Sequence, residues 1–299
     1  MVESGGIMTT TIFNIASQKE LRIGDIIGTT NLFECFSVTL KTANQKMDES
    51  SLISDYERVL FGVRDKSVFG FYISYQKESY QVKVPSLATP SDWTGALMVI
   101  KLIAALTNGV ISDEQGNTYT AEQITQYSFT DHIIDHLSQL YLELQKTSEV
   151  RQFSGVKRPI FLDSNMLQHY FSTSDEHFFE TYEKLLMVTQ YVTDYQSKQH
   201  VYRIESGETT HFIGTNFLNV DKPTVLSFVP SLEPELLKQY HDKEITDWRL
   251  FAKTDDNKVI AEVDYQDFFN QLPEGQYFMI DAKYALVQPL GQDYFQKNK

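Results

Sequence analysis

The chain has 299 residues, 41% hydrophobic and 13% aromatic, with 14 glycines and 8 prolines; such a composition excludes disorder over most of its length and supports a core without covalent staples. The net charge of −14 is shared equally by residues 1–150 and 151–299, and no basic cluster exceeds the pair Lys157-Arg158, so nucleic acid and anionic membranes, which need a basic face, are excluded as expected partners. Cys35 is the only cysteine, which rules out an intramolecular disulfide and a thiolate metal cluster and fits a reducing, cytoplasmic setting.

Met1 to Met8 carry neither a basic leader nor an apolar stretch. No apolar run is long enough to span a membrane. Thr9 to Ile15, TTTIFNI, reads as an opening strand. Asn31 to Leu40 mixes alternation with helical spacing and leaves its type open. Val59 to Val63, Val68 to Tyr75 and Tyr80 to Val84 read as strands, the last two forming a hairpin about the polar turn Gln76 to Ser79. A helix then follows with Thr89 as cap, Pro90 in its first turn and Asp92 facing the free N–H groups. Trp93, Ala96, Leu97, Ile100, Ile103, Ala104 and Leu106 recur at helical spacing, and Asn108-Gly109 supplies the left-handed stop.

Val110 to Ser112 and Asn117 to Thr120 predict a second hairpin, and Thr130 to Leu144 a helix burying Ile133, Leu137, Leu140, Tyr141 and Leu144. The polar stretch Gln145 to Arg158, ended by Pro159, marks the expected boundary between a domain over 9–147 and a second over 156–290. Beyond it come a strand at Ile160 to Leu162, a short helix after Asp163 or Ser164 and a long helix from Asp175 to Gln196. Strands are expected at 201–204, 210–213, 224–229, 248–253, 259–265, 277–280 and 285–287, with a frayed tail from Gly291. Hairpins dominate, so the fold class is α+β, with antiparallel sheets and packed helices in two domains.

Candidate chemistry is sparse. His132 and His136 lie one helical turn apart, with Asp135 as local companion, in a spacing that can bring two imidazoles to one metal. Ile133 stands where a zinc protease carries glutamate, no third ligand is nominated, and solvent at the edge of the apolar stripe satisfies both rings; no metal or cofactor is therefore expected. Cys35, between Phe33 and Phe36, reads as a buried thiol rather than a nucleophile. Glu262 and Asp264 share a strand face with Asp267 close behind, a carboxylate pair that reads more simply as a solvated face. Arg158 with Ile160 to Leu162, and the aromatic run Tyr265 to Phe269, are candidates for a recognition surface, with core packing as the competing account. The phosphate-loop, dinucleotide, nucleophile-elbow and zinc-protease motifs do not occur in the sequence.

Taken together, Ser91 to Leu106 (SDWTGALMVIKLIAAL), Gly155 to Asp163 (GVKRPIFLD) and Tyr277 to Leu290 (YFMIDAKYALVQPL) resemble an uncharacterised family of similarly sized proteins from low-GC Gram-positive bacteria. The likeness runs from about Met8, implies a bacterial cytoplasmic setting, and carries no catalytic residue with it. The expected function is that of an acidic protein that binds or regulates a partner, a basic protein being the natural one, with no catalysis of its own. The alternatives are a hydrolase-like or metal-dependent enzyme whose site is assembled by the fold, and a structural protein whose self-association is its role.

Overall fold

In the computed structural model, which describes residues 10–41, 46–172, 177–206 and 209–297, the opening β-branched run forms β1 (Thr10–Ala16). The first residue expected in that strand, Thr9, lies outside the described residues. After a five-residue α1 (Ile23–Ile27), the ambiguous stretch resolves as β2 (Phe33–Leu40). Its mixed spacing has a physical cause: the register against β3 (Tyr56–Val63) shifts between Cys35 and Ser37 and again between Thr39 and Leu40, so the two-residue alternation is broken twice. β4 (Phe71–Gln76) and β5 (Ser79–Pro85) form the expected hairpin. Its two-residue loop is Lys77-Glu78, both at positive φ (50° and 58°), as strand twist requires of the tightest turns.

α2 (Pro90–Thr107) starts and stops where the sequence places its caps. The Thr89 side chain accepts from the Asp92 N–H, and Asn108 is left-handed at φ 53°. β6 (Val110–Asp113) and β7 (Thr118–Tyr119) close the second hairpin, followed by the one-turn α3 (Ala121–Ile124) and by α4 (Thr130–Thr147). The sheet order is β2-β3-β4-β5-β1-β6-β7, every neighbouring pair antiparallel. One face carries Phe13, Ile15, Val59, Phe61, Phe71, Ile73, Tyr80, Val82 and Val84, all buried. The other carries Asn14 hydrogen-bonded to Gln81 (3.2 Å) and Tyr72 beneath the Arg58 guanidinium (4.6 Å). α2 packs on the apolar face against β1, β3, β5 and β6. It comes close because Gly95 has no side chain: a Cβ there would lie 2.6 Å from Val63 Cγ2.

The polar stretch expected to join two domains behaves differently. It contains β8 (Arg151–Phe153), which pairs with β9 (Ile160–Leu162), and α5 (Ser164–Phe171) and α6 (Phe178–Tyr191) follow. Ile160, Leu162, Leu167, Tyr170, Tyr182 and Leu186 share one hydrophobic cluster with α2, α4 and the sheet. The first compact unit accordingly runs to Tyr191 and the second from Val192. α6 is shorter than its apolar stripe suggested, ending at Tyr191 rather than Gln196; the expected start at Asp175 lies outside the described residues.

In the second unit, β10 (Gln199–Ser206) and β11 (Thr209–Asn219) form a hairpin. β12 (Thr224–Ser227) and α7 (Pro234–Tyr240) lead to β13 (Ile245–Lys253), which runs parallel to β11, whereas the other strand pairs among the described residues are antiparallel. β14 (Val259–Asp264) completes the sheet order β10-β11-β13-β14. α8 (Tyr265–Gln271), β15 (Tyr277–Met279), β16 (Tyr284–Val287) and α9 (Gly291–Lys297) follow, with a three-stranded sheet β12-β16-β15. The tail expected to fray is helical and buries Phe295 in the second core. That core also takes Leu218, Trp248, Leu250, Ala252 and the aromatic run Tyr265, Phe268 and Phe269. Trp248 lies flat over Gly214, where a Cβ would be 2.4 Å from the indole.

Candidate functional site

Alternation divides the four-stranded sheet into a core face, with Gly214, Leu218, Trp248, Leu250 and Ala252, and an outer face. Register places His200 and Tyr202 of β10, Ile213 and Phe217 of β11, Asp247, Arg249 and Phe251 of β13, and Glu262 and Asp264 of β14 on that outer face. Three rings form a ladder across the strands. His200 meets Phe217 edge-on at 5.6 Å, and Phe217 stacks on Phe251 at 5.6 Å with 25° between planes. Lys253 Nζ sits 5.5 Å from the Phe217 ring centroid.

Charge borders the ladder. Asp247 Oδ2 accepts from Arg249 Nε at 2.7 Å and pairs with its Nη2, while Glu262 lies 3.8 Å from the same guanidinium. The Asp247 carboxylate raises the Arg249 guanidinium further above its ordinary value. Asp264 is engaged locally, since its Oδ1 accepts from the N–H groups of Gln266 (2.9 Å) and Asp267 (3.3 Å) and caps α8. Glu262 and Asp264 thus share the face that alternation assigned them, but they serve an ion pair and a helix cap.

The other residues singled out in the sequence are dispersed. His132 Nε2 is 3.0 Å from Tyr127 Oη, and its ring stacks on Tyr127 and Trp93, both at 5.8 Å between centroids. His136 Nδ1 lies 2.6 Å from the His132 carbonyl oxygen, and Asp135 is exposed on the same helix. Among the described residues no group of three or more His, Cys, Asp or Glu side chains is placed to hold a metal ion. Cys35 is buried, 3.4 Å from Met47 Sδ, beside a cavity of about 360 Å³ that Glu34, Glu49 and Arg64 also line. Burial, helped by the Glu49 and Glu34 carboxylates, pushes the thiol up to about 12, so it stays protonated at neutral pH and is a poor nucleophile. Arg158 is buried, and Tyr265, Phe268 and Phe269 fill the second core, so neither candidate recognition segment forms a surface.

A cluster that sequence reasoning missed lies in the second unit. Tyr284 Oη donates to Glu233 Oε2 at 2.5 Å, Lys283 Nζ is 4.0 Å from Glu233 Oε1, and Asp281 Oδ1 accepts from the N–H groups of Lys283 and Tyr284. Burial lowers the Lys283 ammonium against the pull of Glu233 and Asp281, and raises the Tyr284 phenol. Chain separation hid this group: Glu233 and Lys283 are 50 positions apart in the sequence, and only the tertiary fold closes that distance.

A family model described as "Domain of unknown function (DUF4299)" matches residues 9–297. The chain belongs to that family, and its own architecture is mixed α+β. No curated protein and no solved structure matches it. No helix among the described residues is long and apolar enough to cross a membrane.

Proposed function

We propose that this protein acts by binding another protein, without chemistry of its own, and that the outer face of the β10-β11-β13-β14 sheet is the contact surface. The His200–Phe217–Phe251 ladder carries this reading. Rings of a well-packed sheet normally go inward, whereas here a row of aromatic side chains crosses the outer face of three strands, bordered by charged groups that fix orientation. The net charge of −14 favours encounter with a basic partner, and the single buried thiol fits work in a reducing cytoplasm.

The test is capture of partners by the tagged full-length chain from its native host's lysate, at low and high salt, beside a Phe217→Ala/Phe251→Ala variant. A basic protein retained in stoichiometric amount at low salt, weakened at high salt and lost with the variant is the expected result. Retention that ignores the ladder variant, or turnover of a substrate by the isolated chain, would remove this reading.

A further inference from the structure

The free edges of the sheets differ in one respect that bears on assembly. An exposed strand edge offers a row of unpaired N–H and C=O groups, and folded proteins blunt such edges with bulges, short strands or a covering segment. Here β2 carries two register shifts, β14 is bulged opposite Ala252/Lys253, β7 has two residues, and β8, β9 and β15 have three each. β12 is tied on its outer side by Ser197 N–H to Val225 O (2.8 Å) and Val225 N–H to Tyr195 O (3.0 Å). β10 alone, among the described residues, is at once long and free of bulge and proline: eight residues, QHVYRIES, in unbroken register with β11, with its first residue, Gln199, tied through its side chain to the Ser231 carbonyl and the Glu233 N–H. Its side chains are exposed at Tyr202 (51%) and Ile204 (44%).

We infer that β10 pairs, antiparallel and edge to edge, with β10 of a second copy of this chain, about a two-fold axis through Ile204. The charge pattern selects both the occupant and the register. Centred on Ile204, Arg203 of each copy stands opposite Glu205 of the other, on one face of the joined sheet. On the opposite face the two Ile204 side chains meet, and each Tyr202 lies diagonal to the other copy's Ile204. Within one copy Arg203 Nη2 already pairs with Glu205 Oε1 at 2.7 Å, so association completes a ring of four alternating charges. A two-fold contact must be self-complementary, and opposite charges flanking the axis on an edge strand are the simplest sequence that achieves it. The result is a continuous eight-stranded sheet, two copies of β10-β11-β13-β14, in which two aromatic ladders share one outer face. This inference stands apart from the partner reading above, because it rests on the edge of the sheet and not on its rings.

Sedimentation equilibrium on the full-length chain at physiological salt tests it, with Arg203→Glu, Glu205→Arg and an equimolar mixture of the two variants. The wild type should dimerise, and each variant should dissociate about tenfold or more readily, since two like-charged pairs replace two opposite ones. The mixture should recover a dimer, because one variant then presents carboxylates at both positions 203 and 205, and the other presents guanidinium groups at both. A misfolded variant could not be rescued by another, so recovery separates association from folding. A wild type that remains monomeric at high concentration, a dimer unmoved by either variant, or a mixture that stays monomeric would each overturn the inference.

Discussion

Asp92 is completely buried, yet it is surrounded almost entirely by donors. Its Oδ1 accepts from the N–H groups of Val68 (3.2 Å) and Gly70 (2.9 Å), and its Oδ2 from Phe69 (3.1 Å), Thr89 (3.0 Å) and the Thr89 hydroxyl (3.0 Å). Burial pushes the carboxyl up; the N–H groups of Phe69, Thr89 and Gly70 and the Ser67 hydroxyl oppose that shift. The sequence marks Asp92 as a helix-end carboxylate, but the three consecutive N–H groups of residues 68–70 reach it only through the fold. Asp92→Asn turns an amide donor toward donors, and Asp92→Ala leaves at least four buried N–H groups unmet. Each should lower stability by about 3 kcal/mol, read as a reduced denaturation midpoint at unchanged slope.

At the scale of elements, the hairpin turn Lys77-Glu78 is held in a conformation that suits Asn-Gly better than its own residues. Replacing Lys77 with Asn and Glu78 with Gly should therefore stabilise the first unit by about 1 kcal/mol, seen as a melting temperature higher by roughly 2–4 °C. The elements legible in the sequence are those with local signals. α2 has its cap, its proline and its left-handed stop; α4 has a clean apolar stripe; the turns at 76–79 and 113–116 are polar and short. Segments whose character differs from the sequence reading depend on distant partners. Tyr265 to Phe269 looks like a recognition strip because five positions cannot reveal whether aromatic rings face water or a core, and burial of Tyr265, Phe268 and Phe269 decides it. The tail from Gly291 is polar in sequence, but Phe295 anchors it.

At the scale of the whole molecule, the chain divides into compact units at Tyr191/Val192. The polar stretch 145–158 suggested a break nearer the N-terminus, but β8 lies within it, and its Gly155–Arg158 loop is fastened to α6: Gln190 Oε1 accepts from the N–H groups of Lys157 (2.9 Å) and Arg158 (3.2 Å). A fragment ending at Tyr191 should consequently unfold in one cooperative transition by calorimetry, whereas a fragment ending at Thr147 should not. The shorter piece strips Ile160, Leu162, Leu167, Tyr170, Tyr182 and Leu186 from the first core and exposes the apolar faces they cover. Cooperative melting of the shorter fragment would restore the boundary at the polar stretch.

The amino-acid sequence by itself determined the α+β class, the main helices and hairpins, the acidic surface and the inertness expected of Cys35, because periodicity, capping, turn chemistry and charge act over a few residues or over the whole composition. Tertiary structure decided the extent of the first unit, the parallel pairing of β11 with β13, the ladder of His200, Phe217 and Phe251, and the Lys283–Glu233–Tyr284 cluster. Each of these joins residues far apart in the chain, and no local pattern records which distant strand or helix a given face will meet.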